Sequence, residues 1–257
     1  MRVAQDTVVI GVLTPTDLDA APVTLIREGI AVQAAGADIV DIDAIALGGH
    51  LGAFAGADTD TIAMLVAGLV AVGVRVSVTT DRPDIAGTAA ECGAAWIIDP
   101  SGAARVRLDP RVADSGCGLV IGPWGHPLPS DPSTATTAYA DGLIRNAARL
   151  LDAGIAFERI RFDAGAGFCA EDPEPWRMLN ELGHFADLGY PLLVPATEEL
   201  LLEMVPEEAS ERQLREAAIA ITAVAAGVGA WAIRTHRVEL VADLVWRMHA
   251  HVTEITA

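Results

Sequence analysis

The sequence predicts one closed (β/α)8 barrel, the TIM-barrel form of the α/β class. Three observations carry that prediction. Helical stretches that end in glycine alternate with short β-branched runs along the whole chain. Eight such runs fit into 257 residues, close to the usual length for eight βα units. No linker or change of composition divides the chain, so one domain spans residues 1–257. A doubly wound open sheet is the alternative, and the count of eight in one uniform composition favours closure.

Taken in order, Val8–Leu13 is the first strand. A helix over Thr24–Ala35 closes at Gly36, and the strand ending in Asp41 and Asp43 follows. Thr61–Val72 closes at Gly73 before Val76–Thr80. Pro83–Cys92 closes at Gly93 before the strand that ends in Asp99. Gly118–Ile121 is the fifth strand, and the Pro/Gly-rich segment from Pro123 to Pro132 reads as a long rim loop. Tyr139–Ala153 closes at Gly154 before the sixth strand, Trp176–Leu188 at Gly189 before the seventh, and Glu211–Gly227 precedes Gly229 and the eighth. The last helix is Val238–Thr253. Glycine fits the left-handed position just past a helix end. The strands are continuous apolar runs, as expected where a parallel sheet is buried on both faces.

Composition excludes several classes of function. The net charge of −18 argues against nucleic acid and anionic membranes as partners, and an anionic ligand would need a local cluster of cations. Apolar residues make up 52% but aromatics only 5%, so aliphatic side chains must fill the core. Three cysteines, Cys92, Cys117 and Cys169, lie far apart and read as reduced thiols, which suits a cytoplasmic protein. No signal sequence or apolar run of membrane-spanning length is present.

In a closed parallel barrel, chemistry gathers at the C-terminal strand ends. The sixth strand, Ile160–Phe162, ends in Asp163, and a loop with Gly165 and Gly167 follows at once. A carboxylate there stands over the barrel mouth, and the glycines let a ligand approach the backbone. It can equally cap the loop or the next helix. The eighth strand ends in Arg234-Thr-His236.

These tips resemble those of the dihydropteroate synthase (pterin-binding enzyme) family over nearly the whole chain. Gly36-Ala-Asp-Ile-Val-Asp41 is similar to GADIIDVGGEST, Val76-Ser-Val-Thr-Thr80 to ISVDT, and Ala95-Trp-Ile-Ile-Asp99-Pro-Ser-Gly102 to INDVSG. Asp163-Ala-Gly-Ala-Gly-Phe168 is similar to DPGIGFGK, Gly189-Tyr-Pro-Leu-Leu-Val194 to the run before SRK, and Arg234-Thr-His236 to RVH. The resemblance implies a transferase that joins a pterin methylene carbon to the amine of p-aminobenzoate, with loss of pyrophosphate. It assigns Asp99, Asp163 and Phe168 to a pterin and Arg234 and His236 to the leaving anion. A carboxylate suits the amidine-like edge of a pterin, and arginine suits an anion. It also implies a homodimer through the outer helices, with the Trp246-bearing last helix compatible.

Several positions depart from the family. Gly11-Val-Leu-Thr-Pro-Thr-Asp17 offers Thr14 and no Asn, where the family's first strand (NVTPDSF) has an Asn associated with Mg and pyrophosphate, so no cofactor is assigned. Thr79 replaces the acid of ISVDT, Ile98 the Asn of INDVSG, and Ala170 a lysine; Glu199 falls at another lysine, as a buried or half-buried charge near Asp163. Removing one polar interaction from a buried site costs about 1–3 kcal/mol. Four such changes, partly additive, imply a synthase rate lower by several powers of ten.

Other residues carry weaker expectations. Asp41 and Asp43 are read as pointing to opposite sides of their strand, one to the mouth and one to the loop, with a metal as a further option. His50 reads as a loop residue. Trp124 and His126 either stack on a flat ring or pin their own loop. Cys169 is a weak nucleophile candidate with no base near it in sequence. His184, His249 and His251 read as surface groups on helices. Three readings follow: a degenerate synthase-like barrel that still binds a flat heterocycle, a barrel enzyme of the same superfamily with another anionic substrate, and a non-catalytic interaction protein.

Overall fold

The computed structural model describes residues 7–17, 20–47, 50–99, 109–122, 132–165 and 176–256. Eight strands of this set close into a barrel: β1 (Val8–Val12), β2 (Ile39–Asp43), β3 (Val76–Thr79), β4 (Trp96–Asp99), β5 (Gly118–Ile121), β6 (Ile160–Asp163), β7 (Leu192–Ala196) and β8 (Ala232–Thr235). Each pairs in parallel with its sequence neighbours, and β8 pairs with β1 to complete the ring. The expected barrel is therefore the observed one.

The helices are α1 (Pro22–Ala34), α2 (Thr59–Ala71), α3 (Pro83–Glu91), α4 (Pro110–Ser115), α5 (Pro132–Asp152), α6 (Arg177–Ala186), α7 (Glu198–Met204), α8 (Glu211–Gly227) and α9 (Val238–Thr256). The six glycines expected to close helices all have positive φ, from +74° at Gly229 to +109° at Gly36. Helix α5 begins at Pro132, seven residues before the expected Tyr139, because proline is tolerated where the first turn leaves its N–H unbonded anyway. The short α4 and α7 have no counterpart in the sequence reading, since fewer than two turns show no helical period. Helix α4 is held from both ends. The Asp109 side chain accepts the Arg111 N–H, and the Arg159 guanidinium donates to the carbonyls of Val112, Ala113 and Cys117 at 2.8–2.9 Å. A two-residue antiparallel hairpin, Ala46–Leu47 with His50–Leu51, follows β2.

Strand alternation divides the core in two. Val40, Ile42, Val76, Val78, Ile97, Leu119, Ile160, Phe162 and Ile233 join the large cluster between strands and helices. Ile10, Ile39, Ile98, Val120, Leu193 and Ala232 form a separate cluster inside the barrel. Below it the floor is aromatic: the Arg161 guanidinium lies 5.0 Å from the Trp96 ring and 5.4 Å from that of Trp231. Gly118 makes room for this floor, since a methyl there would sit 2.2 Å from the Trp96 ring. Among the described residues no helix is long and apolar enough to cross a membrane.

Candidate functional site

The same alternation decides which polar side chains face the mouth. On β2, Ile39 belongs to the interior cluster, so Asp41 and Asp43 share its face. On β3, Ser77 and Thr79 are the inward pair, between outward Val76 and Val78; on β6 and β8 the inward residues are Asp163 and Arg234. These six side chains are all buried.

Arg234 and the two β2 acids form one network. Arg234 Nε donates to Asp41 Oδ2 at 2.9 Å, and a terminal guanidinium nitrogen lies 2.6 Å from Asp43 Oδ2 and 2.8 Å from Asp41 Oδ2. Ser77 Oγ donates to Asp41 Oδ1 at 2.7 Å and Thr79 Oγ1 to Asp41 Oδ2 at 2.8 Å. Burial is the largest influence on Asp41 and pushes its carboxyl above the usual range, against the pull of Arg234 and the two hydroxyls. For Arg234, burial works against the charge, but the two carboxylates outweigh it and hold the guanidinium protonated above its ordinary range. The expectation that Asp41 and Asp43 point to opposite sides is therefore wrong. A strand repeats every two residues, so positions two apart share a face.

Asp163 is 6% exposed. Its Oδ1 accepts the Gly165 N–H at 2.9 Å, and among the described residues Oδ2 has no hydrogen-bond partner. Burial raises the Asp163 pKa, and the Gly165 bond and the charge of Arg234 only partly offset it. The carboxylate is thus inward, desolvated and half satisfied. It does cap its own loop, as one sequence reading held, but only through one oxygen.

His236 lies just past β8, and its Nδ1 accepts the Glu198 N–H at 3.0 Å. Burial lowers its pKa, so the ring sits neutral with Nε2 as its donor at neutral pH. A cleft of about 470 Å³ runs beside it between α1 and the start of α9, lined by Thr14, Val32, His236, Arg237 and Val238 among others. Asp99 is buried at the tip of β4, but it follows inward Ile98, and the pleat puts it on the outer face with Ile97. Phe168, Trp124, His126 and Cys169 lie outside the described residues, as does the His50 side chain.

Two further expectations change. Glu199 is exposed in the first turn of α7, where a helix N-terminus favours carboxylates, and is not buried beside Asp163. His249 is not a free surface group: its Nε2 accepts the Thr7 N–H at 3.3 Å. His184 is exposed, as expected. Cys92 and Cys117 are free thiols; burial raises the Cys92 pKa, the opposite of an activated nucleophile.

A pterin binding enzyme family profile matches residues 15–236. The chain belongs to this family. It is similar to dihydropteroate synthase of Mycobacterium leprae, with 30% identity over 258 residues that cover 91% of this chain and 90% of that protein. It is also similar to the inactive dihydropteroate synthase 2 of the same organism, at 28% identity over 222 residues covering 80% and 74% of the two chains. In fold it resembles a dihydropteroate synthase of Xanthomonas albilineans, solved with indole-2-carboxylic acid and 6-chloroguanine. The TM-score is 0.81 with 21% identity, over 95% of this chain and 93% of that one.

Among the described residues no three His, Cys, Asp or Glu side chains gather to hold a metal ion. The chain also contains no lysine at all; its 17 basic residues are arginines.

Proposed function

We propose that this is a dihydropteroate-synthase-like barrel of folate-type metabolism that retains a pterin seat and has weak or no synthase activity. The observation that carries the reading is Asp163: inward, buried, one oxygen fixed by Gly165 and the other unpartnered among the described residues. That is an acceptor prepared for the paired N–H groups of an amidine-like edge. Phe168 and Asp99 stay in the proposal by resemblance. The relatives include both a synthase and an inactive synthase, which suits reduced turnover.

A phosphate-like anion, which the family resemblance implies, is proposed only as a weak ligand of this chain. Arg234 is already held by Asp41 and Asp43, and His236 is uncharged at neutral pH, so an anion must displace a carboxylate to reach a full positive charge. A homodimer through the outer helices is proposed as well, since Trp246 on α9 is 68% exposed; light scattering checks the molar mass.

The test is thermal stabilisation by a reduced pterin, beside an assay for dihydropteroate. At 100 times its Kd, a ligand adds about 2.7 kcal/mol of stability, or roughly 5–10 °C in Tm for a chain of this size. Such a shift with turnover far below that of an active synthase is the expected outcome. No shift at millimolar pterin, or turnover at the ordinary rate, removes the proposal.

A further inference from the structure

Asp43 occupies the place where an anion would meet Arg234. Its Oδ2 lies 2.6 Å from the guanidinium, and its Oδ1 is 3.3 Å from the Ile45 N–H. The loop is shaped around this carboxylate: a methyl on Gly52 would sit 2.2 Å from Asp43 Oδ1 and 2.5 Å from the Asp43 carbonyl oxygen. The Phe54 N–H donates to that same carbonyl at 2.8 Å. Asp43 is thus seated by its own loop.

The strand register adds an independent point. Asp43 on β2 is paired with Thr79 on β3. In the motifs that the two strands resemble, the β2 position is a glycine of GADIIDVGGEST and the β3 position is the acid of ISVDT. Here the carboxylate has moved one strand over, to a position that bonds Arg234, and a hydroxyl that donates to Asp41 has taken its former place. Two substitutions on directly paired residues thus change the same local charge arrangement in opposite senses. Among the described residues, the inward groups near the mouth set Arg234 against Asp41, Asp43 and Asp163, and the chain has no lysine.

We propose that Asp43 is a specificity-determining residue: it neutralises Arg234 from within, so the mouth takes an uncharged, flat, N–H-rich heterocycle and rejects the same ring carrying a phosphate or pyrophosphate. This rests on the pterin reading of the Asp163 seat. The ligand meets Asp163 through its N–H edge and leaves the ion network undisturbed. A phosphorylated ligand brings a second anion within about 4 Å of Asp43. At a protein-like dielectric, that separation costs roughly two to three powers of ten in affinity. The bland alternative is that the ion network serves stability alone, which predicts no gain of anion binding when Asp43 is changed.

The experiment is calorimetric titration of the purified full chain with inorganic pyrophosphate and, separately, with an unphosphorylated reduced pterin. Wild type is compared with Asp43→Asn, which keeps the shape and the acceptor for Ile45, and with Asp43→Gly, which restores the motif residue. Melting curves establish that each variant is folded. Pyrophosphate is expected to bind Asp43→Asn at least about 100-fold more tightly than wild type, with a gain that shrinks in high salt. Wild type that already binds pyrophosphate as tightly as Asp43→Asn overturns the inference, and so does an unchanged affinity in the folded variants. The pterin titration separates the two claims. Pyrophosphate gained without any pterin binding sinks the pterin seat and leaves the role of Asp43 standing; pterin bound with no pyrophosphate gain does the reverse.

Discussion

Changing Asp163 to asparagine is expected to weaken pterin binding by at least about 100-fold while raising the Tm of the unliganded protein. Both effects have one cause. Burial raises the Asp163 pKa, so the fold opposes the charge that the ligand needs. Asparagine keeps an oxygen for the Gly165 N–H and removes the buried charge, so the empty protein gains stability at neutral pH. It also replaces one acceptor by an N–H that faces the ligand's donors. One hydrogen bond to a charged group, worth about 1.5–3 kcal/mol, is turned into a clash of donors, and the remaining oxygen accepts without a charge behind it. The pH dependence has a definite sign. An acid whose folded pKa is raised contributes stability that is fully present below its unfolded pKa, near 3.8, and lost as pH rises through the folded value. Ligand affinity runs the other way: it increases as Asp163 ionises and levels off above its pKa. Asp163→Asn should show neither slope, and a variant that binds pterin as wild type does removes Asp163 from the seat.

Changing Arg234 to leucine is expected to lower stability by about 3–5 kcal/mol, or roughly 6–20 °C in Tm. The residue is 7% exposed, and Asp41 and Asp43 are 0% and 2% exposed, so its loss leaves two buried carboxylates facing each other without a cation. Ser77 and Thr79 still serve Asp41, but hydroxyl donors do not cancel a second charge. Without the cation, Asp41, whose pKa burial already raises, holds its proton more strongly, so the penalty is largest at high pH. The gap between variant and wild type should therefore narrow as pH falls. Adding Asp41→Asn and Asp43→Asn to Arg234→Leu should recover most of the loss, because a network removed whole costs far less than one left half paired. Melting curves of the single and triple variants check this; a single variant that melts within about 2 °C of wild type shows that the ion network contributes little.

Much of the fold is legible in the sequence because its signals are local. The six helix-closing glycines each mark a left-handed residue, and the apolar runs after them mark strands buried on both faces. Helices α4 and α7 escape notice because one or two turns carry no period. The site is legible only in outline. Asp163 and Arg234 stand out by their places at strand ends, and both face the barrel interior near one another. Asp41 and Asp43 lie two residues apart and so share one face of their strand, and that face is inward because Ile39 faces inward.

What the linear chain determined was the ring of eight strands, the family, and the set of polar residues at the strand ends. Periodicity, glycine positions and motifs are properties of neighbouring residues, and they survive without coordinates. Only the tertiary structure decided how those residues are bonded: that Arg234 closes onto two acids almost two hundred positions away, that Asp99 turns outward, and that Asp163 keeps one oxygen unpartnered among the described residues. Charge pairing across a barrel depends on distance in space and on the low dielectric of a buried site, and neither is written in the order of residues along one strand.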